Sequence, residues 1–317
     1  PSAVAGETFE IMVEAGTIED RLQRGFSVQL MTHDALAESV YFDLKVPLDV
    51  ARHLPENDHR RDVILTTVYE AINAIDLRHG DLQRFHASLD VAREIAGRIY
   101  DMVDTELTPK ITVTGHTHID VAWLWRVRET RQKMARSMST ALTLMEEYDE
   151  YFFMYNQGYL LDTLNQDYPE IFERLKAQHD TGRFEIEGAL WLEPDANMTS
   201  GESLVRQILK GIQYHQDTFG VTPKIVWLPD TFGYSAALPQ IMAQTGLEVF
   251  VTHKMSWNDT NKMPNETFFW QGLDGTRVPT YFLTTQPMES TSIGTTYCPD
   301  LKASHVMGTW RRYAQKT

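Results

Sequence analysis

The chain has 317 residues, enough for one large domain or two ordinary ones, and at 42% hydrophobic it can bury a sizeable core. Its 29 basic and 44 acidic residues give a formal net charge of −15. That balance argues against nucleic acid or an anionic membrane as the main partner, because both require a basic face, and leaves a neutral substrate open. Cys298 is the only cysteine, so no internal disulfide can form, which fits a reducing, cytoplasmic setting. No uncharged apolar run is long enough to span a bilayer, and no basic start followed by an apolar stretch marks a secretion signal.

In chain order, residues 8–13, "TFEIMV", and 26–48 predict strands separated by turns, with period-two alternation in "SVYFDLKV". Residues 1–48 therefore form a β-strand segment, expected as the tail of an upstream β domain. Residues 49–108 predict a helical linker region. "RRDVILTTVYEAINAI" sets Val63, Val68, Ala71 and Ile72 at helical spacing, "LDVAREIAGRIYDMV" repeats the pattern, and Pro109 marks the boundary. From 109 to 317 strands and helices alternate. Strands are predicted at 111–115, 152–156, 184–189, 224–228 and 248–253. Helices are predicted at 124–147, 158–180, 201–218 and 236–245, with Ser200 as a cap and Gly182 and Gly220 as stops. A hairpin across "LDGT" follows, and 290–317 shows no clear pattern. Strand–helix repetition predicts an α/β fold, a parallel sheet or barrel, with the site at the C-terminal ends of the strands.

"GHTHIDVAWLW", 115–125, follows the first of these strands. If the chain stays extended, His116, His118 and Asp120 share one face, and imidazole nitrogen with carboxylate oxygen is a donor set for a zinc-like ion. The plain alternative is a polar strand end with hydrogen-bonded histidines. In "KIVWLPDTFGYS", 224–235, Asp230 stands at the tip of another strand, as a ligand, a nucleophile or a turn cap. "FEIEGALWLEPDANMTSGESLVRQ", 184–207, contributes Glu185, Glu187, Glu193 and Asp195. The last two lie near the expected mouth, where they either bind hydroxyls and support ligands or are loop acids without a role. Aromatic residues gather at the same places. Most belong in the core, but Trp123 and Phe232 lie just past candidate ligands and are the ones expected to face a sugar.

Together, "GHTHIDVAWLW", "EGALWLEPDANMTSGESLVRQ" and "WLPDTFGYS" resemble the glycoside hydrolase family 38 α-mannosidases, most closely the bacterial and cytosolic branch, over about 109–290. The resemblance implies that 109–317 is the N-terminal part of an α/β barrel-like catalytic domain. It implies one divalent metal ion, zinc or else cobalt, held by His118, Asp120 and Asp230. Asp230 is also the implied nucleophile, His116 a supporting residue behind the ligands, Trp123 a sugar platform and Phe232 the aromatic after the nucleophile. The implied reaction is hydrolysis of terminal α-linked mannose from oligosaccharides with retention of configuration. The family's fourth ligand, a histidine, and its general acid, an aspartate, lie downstream of the nucleophile motif, and neither motif occurs before Thr317. The chain is therefore expected to be a fragment, cut at both ends and inactive alone, with His253 as a substitute ligand or simply a polar strand-end residue. Oligomeric state is open, a homo-oligomer included. The rival readings are a metal-dependent amidohydrolase, which wants histidines on later strand ends, and a non-catalytic carbohydrate-binding fragment.

Overall fold

Asp34 starts the first helix: its side chain accepts from the Ala37 amide at 3.0 Å and supplies the N-cap of α1 (Ala35–His53). In the computed structural model the described residues are 8, 32–78, 80–102, 111–257, 260–261, 263–283, 297 and 301–314. The strand expected at 8–13 and the first part of 26–48 lie outside them. The rest of 26–48 is α1, which corrects the expected strand. "SVYFDLKV" alternates Val40, Phe42, Leu44 and Val46, yet only Val40 and Leu44 are buried, with Pro47 and Ala51 following at helical spacing. Phe42 and Val46 stay half exposed, so the period-two pattern is not the one the core uses.

The helical signal at 49–108 forms α2 (His59–Ala74) and α3 (Leu82–Tyr100). These pack on α1 around Val40, Leu44, Ala71, Leu89, Ala92 and Ala96, while Ile72 faces solvent. The C-terminal segment, featureless in sequence, contains α9 (Ala303–Ala314), and Arg311 donates to the His53 carbonyl at the C-terminus of α1 at 2.9 Å.

The remaining elements alternate much as expected: α4 (Val127–Glu147), β1 (Phe153–Tyr155), α5 (Gly158–Asp167), α6 (Pro169–Asp180), β2 (Phe184–Ile186), α7 (Gly201–Phe219), β3 (Ile225–Leu228), α8 (Leu238–Gln244), β4 (Val249–Thr252), β5 (Thr267–Gln271) and β6 (Arg277–Phe282). The helix expected at 158–180 is split by Pro169, which holds the preceding Tyr168 out of helical backbone and opens α6 at its first turn. Ser200 caps α7, and Gly220 ends it at φ 71°, a left-handed conformation that glycine adopts without strain.

Strands β1 and β2 pair in parallel. The second sheet has the order β3-β4-β6-β5, parallel except for the β5–β6 hairpin. Two thin links extend the series: Gly115 bridges to Phe153 in parallel, and the Ala189 amide donates to the Ile225 carbonyl at 3.0 Å. The protein is thus mixed α/β, mostly helical, with small parallel sheets. Among the described residues no closed barrel forms. Residues 111–114 belong to no strand, so the first predicted strand is reduced to the bridge at Gly115.

One core lies under α4, α5 and α6, where Met134, Met138, Leu142 and Met145 meet Leu161, Phe172 and Phe184. Another lies between β3, β4, β6 and α8, built on Val226, Leu228, Phe250 and Met242. Removing each such side chain from water stabilises the fold by about 1.5–3 kcal/mol. Among the described residues no helix is long and apolar enough to cross a membrane.

Two residues of α7 make the packing testable. A Cβ on Gly211 would run into the backbone of Ala189 and Leu190, so Gly211→Ala is expected to lower stability by about 1–3 kcal/mol in urea unfolding. His215 is fully buried, and burial pushes its imidazole down to about 4. As pH falls below about 6.5 the unfolded chain takes up a proton that the folded one refuses. Stability is therefore lost between about pH 6.5 and 4, by about 2–3 kcal/mol, and His215→Gln is expected to flatten that part of the curve.

Candidate active site

Parallel strands put their C-terminal ends on one side, and the side chains that follow those ends enclose a cavity of about 320 Å³. His118 and Asp120 follow the Gly115 bridge, Gln157 follows β1, Glu193 follows β2, and Asp230 and Phe232 follow β3. The volume lies at the small end of ligand pockets.

His118, Asp120 and Asp230 each offer a ligand atom within 4.8 Å of the others. His118 Nε2 is 3.1 Å from Asp120 Oδ1 and 4.0 Å from Asp230 Oδ2. Alternation puts Ile119 on the opposite side, where it is fully buried. One nitrogen and carboxylate oxygens are donors that suit a zinc-like ion, so the residues present fit the implied metal.

Behind this face stands Glu193, its side chain only 6% exposed. Its Oε1 accepts from the amides of Asp230 at 2.6 Å and Thr231 at 2.5 Å. Its Oε2 lies 2.9 Å from His118 Nδ1, an ion-pair distance without hydrogen-bond alignment. Gln157 makes a second tie, donating to the Ile119 carbonyl at 2.9 Å and accepting from the Glu193 amide at 3.4 Å. Lys254, in the turn after β4, places Nζ 2.9 Å from Asp230 Oδ1 and over the Trp257 ring.

The electrostatics follow from this crowding. Burial works against the charged form of His118, but the carboxylates of Glu193, Asp120 and Asp230 outweigh it and raise the imidazole to about 9. His116 goes the other way, lowered to about 4 by burial. It does not join the cluster. Its Nε2 lies 3.2 Å from Asn156 Oδ1, and its ring meets the edge of Trp227, so it sits behind the ligand face.

Phe232 lines the cavity and is 76% exposed. Trp123 is also exposed, beside Trp125, but does not line the cavity. His253 is outside the cluster, buried and stacked on Tyr297, and burial lowers it to about 4. His179 and His215 lie on α6 and α7, so neither is the strand-end histidine that an amidohydrolase reading wants.

Of the acids in 184–207, Glu187 accepts from the amides of Lys224 and Ile225 at the start of β3, and Asp195 accepts from the Asn197 and Met198 amides. Glu193 was one acid among four in sequence, marked only by its place after a strand. Gln157 and Lys254 carried no signal at all, because neither belongs to a spaced pattern.

A strand-end cluster of one histidine and two aspartates, with Phe232 beside it, is a candidate metal site in a mixed α/β protein. Residues 108–317 match the glycosyl hydrolases family 38 N-terminal domain, and the chain belongs to that family. It is 40% identical over 244 residues to alpha-mannosidase 2C1 of Mus musculus, covering 77% of this chain and 23% of the relative. It is 36% identical over 246 residues to alpha-mannosidase G of Dictyostelium discoideum, covering 78% and 22%. It is 35% identical over 255 residues to the alpha-mannosidase of Saccharomyces cerevisiae, covering 78% and 24%. The chain thus spans less than a quarter of the length of these relatives.

Gln157 is almost fully buried, and Gln157→Leu removes both of its ties. The Ile119 carbonyl and Glu193 amide then lose their partner, with an expected stability loss of about 2 kcal/mol in chemical denaturation at unchanged helix content.

Proposed function

We propose that the protein is a metal-dependent retaining α-mannosidase that removes terminal α-linked mannose from oligosaccharides, and that this chain forms the N-terminal part of its catalytic domain. The observation that carries the reading is the convergence of His118, Asp120 and Asp230 within 4.8 Å, on segments 110 residues apart, in a chain of family 38. In this reading the three residues hold the ion, zinc by preference. Bound there, it would orient and polarise vicinal sugar hydroxyls.

Asp230 attacks the anomeric carbon through a carboxylate oxygen as the C1–O glycosidic bond breaks, the aglycone leaving as an alcohol with a proton from the general acid; water then opens the covalent mannosyl-enzyme with retained configuration and returns a proton to that acid. Lys254 holds Asp230 Oδ1, which restricts the carboxylate to one orientation. Phe232 and Trp123 offer apolar faces to the sugar, and His116 supports the ligand strand from behind through Asn156. The relatives are more than three times as long, and the general acid and a fourth ligand are assigned to the remainder of the protein. A neutral oligosaccharide partner suits the net charge of −15, and the single cysteine suits the cytoplasm.

The test is release of an aryl leaving group from its α-mannoside by the full-length product. Activity is expected to fall with chelator, return with zinc or cobalt, and drop by at least 10³-fold in Asp230→Ala, the scale of losing a nucleophile. Hydrolysis of amides or lactones in place of the mannoside would overturn the reading.

A further inference from the structure

We propose that Glu193 is a positioning residue: it ties the two ligand-bearing strand ends together and sets the proton of His118 on Nδ1, leaving Nε2 to the metal. This rests on the metal site proposed above. A ligating histidine must present a bare lone pair, and which nitrogen is bare is decided by the partner of the other. His118 turns Nε2 toward Asp120 and Asp230, and turns Nδ1 toward Glu193 Oε2 at 2.9 Å. A carboxylate accepts a proton and cannot donate one. Both nitrogens face carboxylates, Nε2 bonding Asp120 Oδ1 at 3.1 Å; an ion on Nε2 would leave the proton to Nδ1, where Glu193 is the acceptor in reach.

The other oxygen of the same carboxylate fixes the second ligand segment. Glu193 Oε1 takes the amides of Asp230 and Thr231, the two residues that turn out of the end of β3. The position of the Asp230 backbone and the tautomer of His118 therefore depend on one buried side chain. Glu187 shows what a carboxylate does with the first task alone. It caps the opposite end of β3 through the Lys224 and Ile225 amides, away from the ligands.

The experiment compares zinc affinity, by competition with a chromophoric chelator, and metal-free thermal midpoint in the full-length product and its Glu193→Gln, Glu193→Ala and Glu187→Gln variants. Glutamine matches the shape and keeps an oxygen for the Asp230 and Thr231 amides, but it turns an NH₂ donor toward His118 Nδ1. The imidazole must then carry its proton on Nε2. Glu193→Gln is expected to melt within a few degrees of wild type and to bind zinc about 10–100-fold more weakly. Glu193→Ala is expected to lose affinity and thermal stability together, and Glu187→Gln to leave zinc affinity unchanged.

Wild-type zinc affinity in Glu193→Gln would overturn the positioning role while leaving the metal site standing, and so would an equal loss in Glu187→Gln. A wild-type protein that binds no zinc removes the site and the positioning role together, and it is recognised before any variant is compared.

Discussion

Strand β3 is held at both ends by carboxylates from the segment that contains and follows β2, and the site depends on that clamp. Glu187 takes the amides where β3 begins, and Glu193 takes those where it ends. Between β2 and β3 the backbone supplies little among the described residues: a bond from Ala189 to Ile225 and, past the strand ends, an isolated bridge between Ala196 and Tyr234. Carboxylates bonded to backbone amides hold where a ladder is short, most of all Glu193, whose side chain is only 6% exposed and would be left poorly solvated if the bonds broke. The same segment therefore fixes where Asp230 stands and what faces His118.

Charge balance shapes what remains. Glu193, Asp120 and Asp230 crowd one imidazole, and Lys254 takes one oxygen of Asp230. Mutual repulsion of three acids in a half-buried cavity favours anything positive, which is why the His118 imidazole is raised and why Lys254 stands against Asp230. A divalent cation would serve the same end with stronger local charge. His116, packed against Trp227 away from those acids, shows how two histidines two residues apart acquire opposite properties.

The alternation of strands and helices after Pro109 was legible because apolar runs and caps mark each element locally. Phe153–Tyr155, Ile225–Leu228 and Val249–Thr252 fall inside the stretches read from the sequence, and Ser200 and Gly220 bound α7 as expected. The misreadings have definite causes. "SVYFDLKV" satisfies both periods, and only packing against α2 and α3 chooses the helical one. The helix at 158–180 was read through Pro169, which starts a new helix when the chain bends at Tyr168. Which strands pair is a long-range matter that no local pattern encodes, and the described strands form two short sheets.

By itself the sequence determined the chemistry on offer: a histidine and two aspartates at strand ends, exposed aromatics beside them, and an acidic surface. Those follow from residue type and from the fact that side chains of an extended chain alternate. Only the tertiary structure decided which of these meet. It brought His118 to Asp230 across 112 positions and turned His116 away. It also gave Glu193, Gln157 and Lys254 their places, because a contact between distant segments is set by packing and not by spacing along the chain.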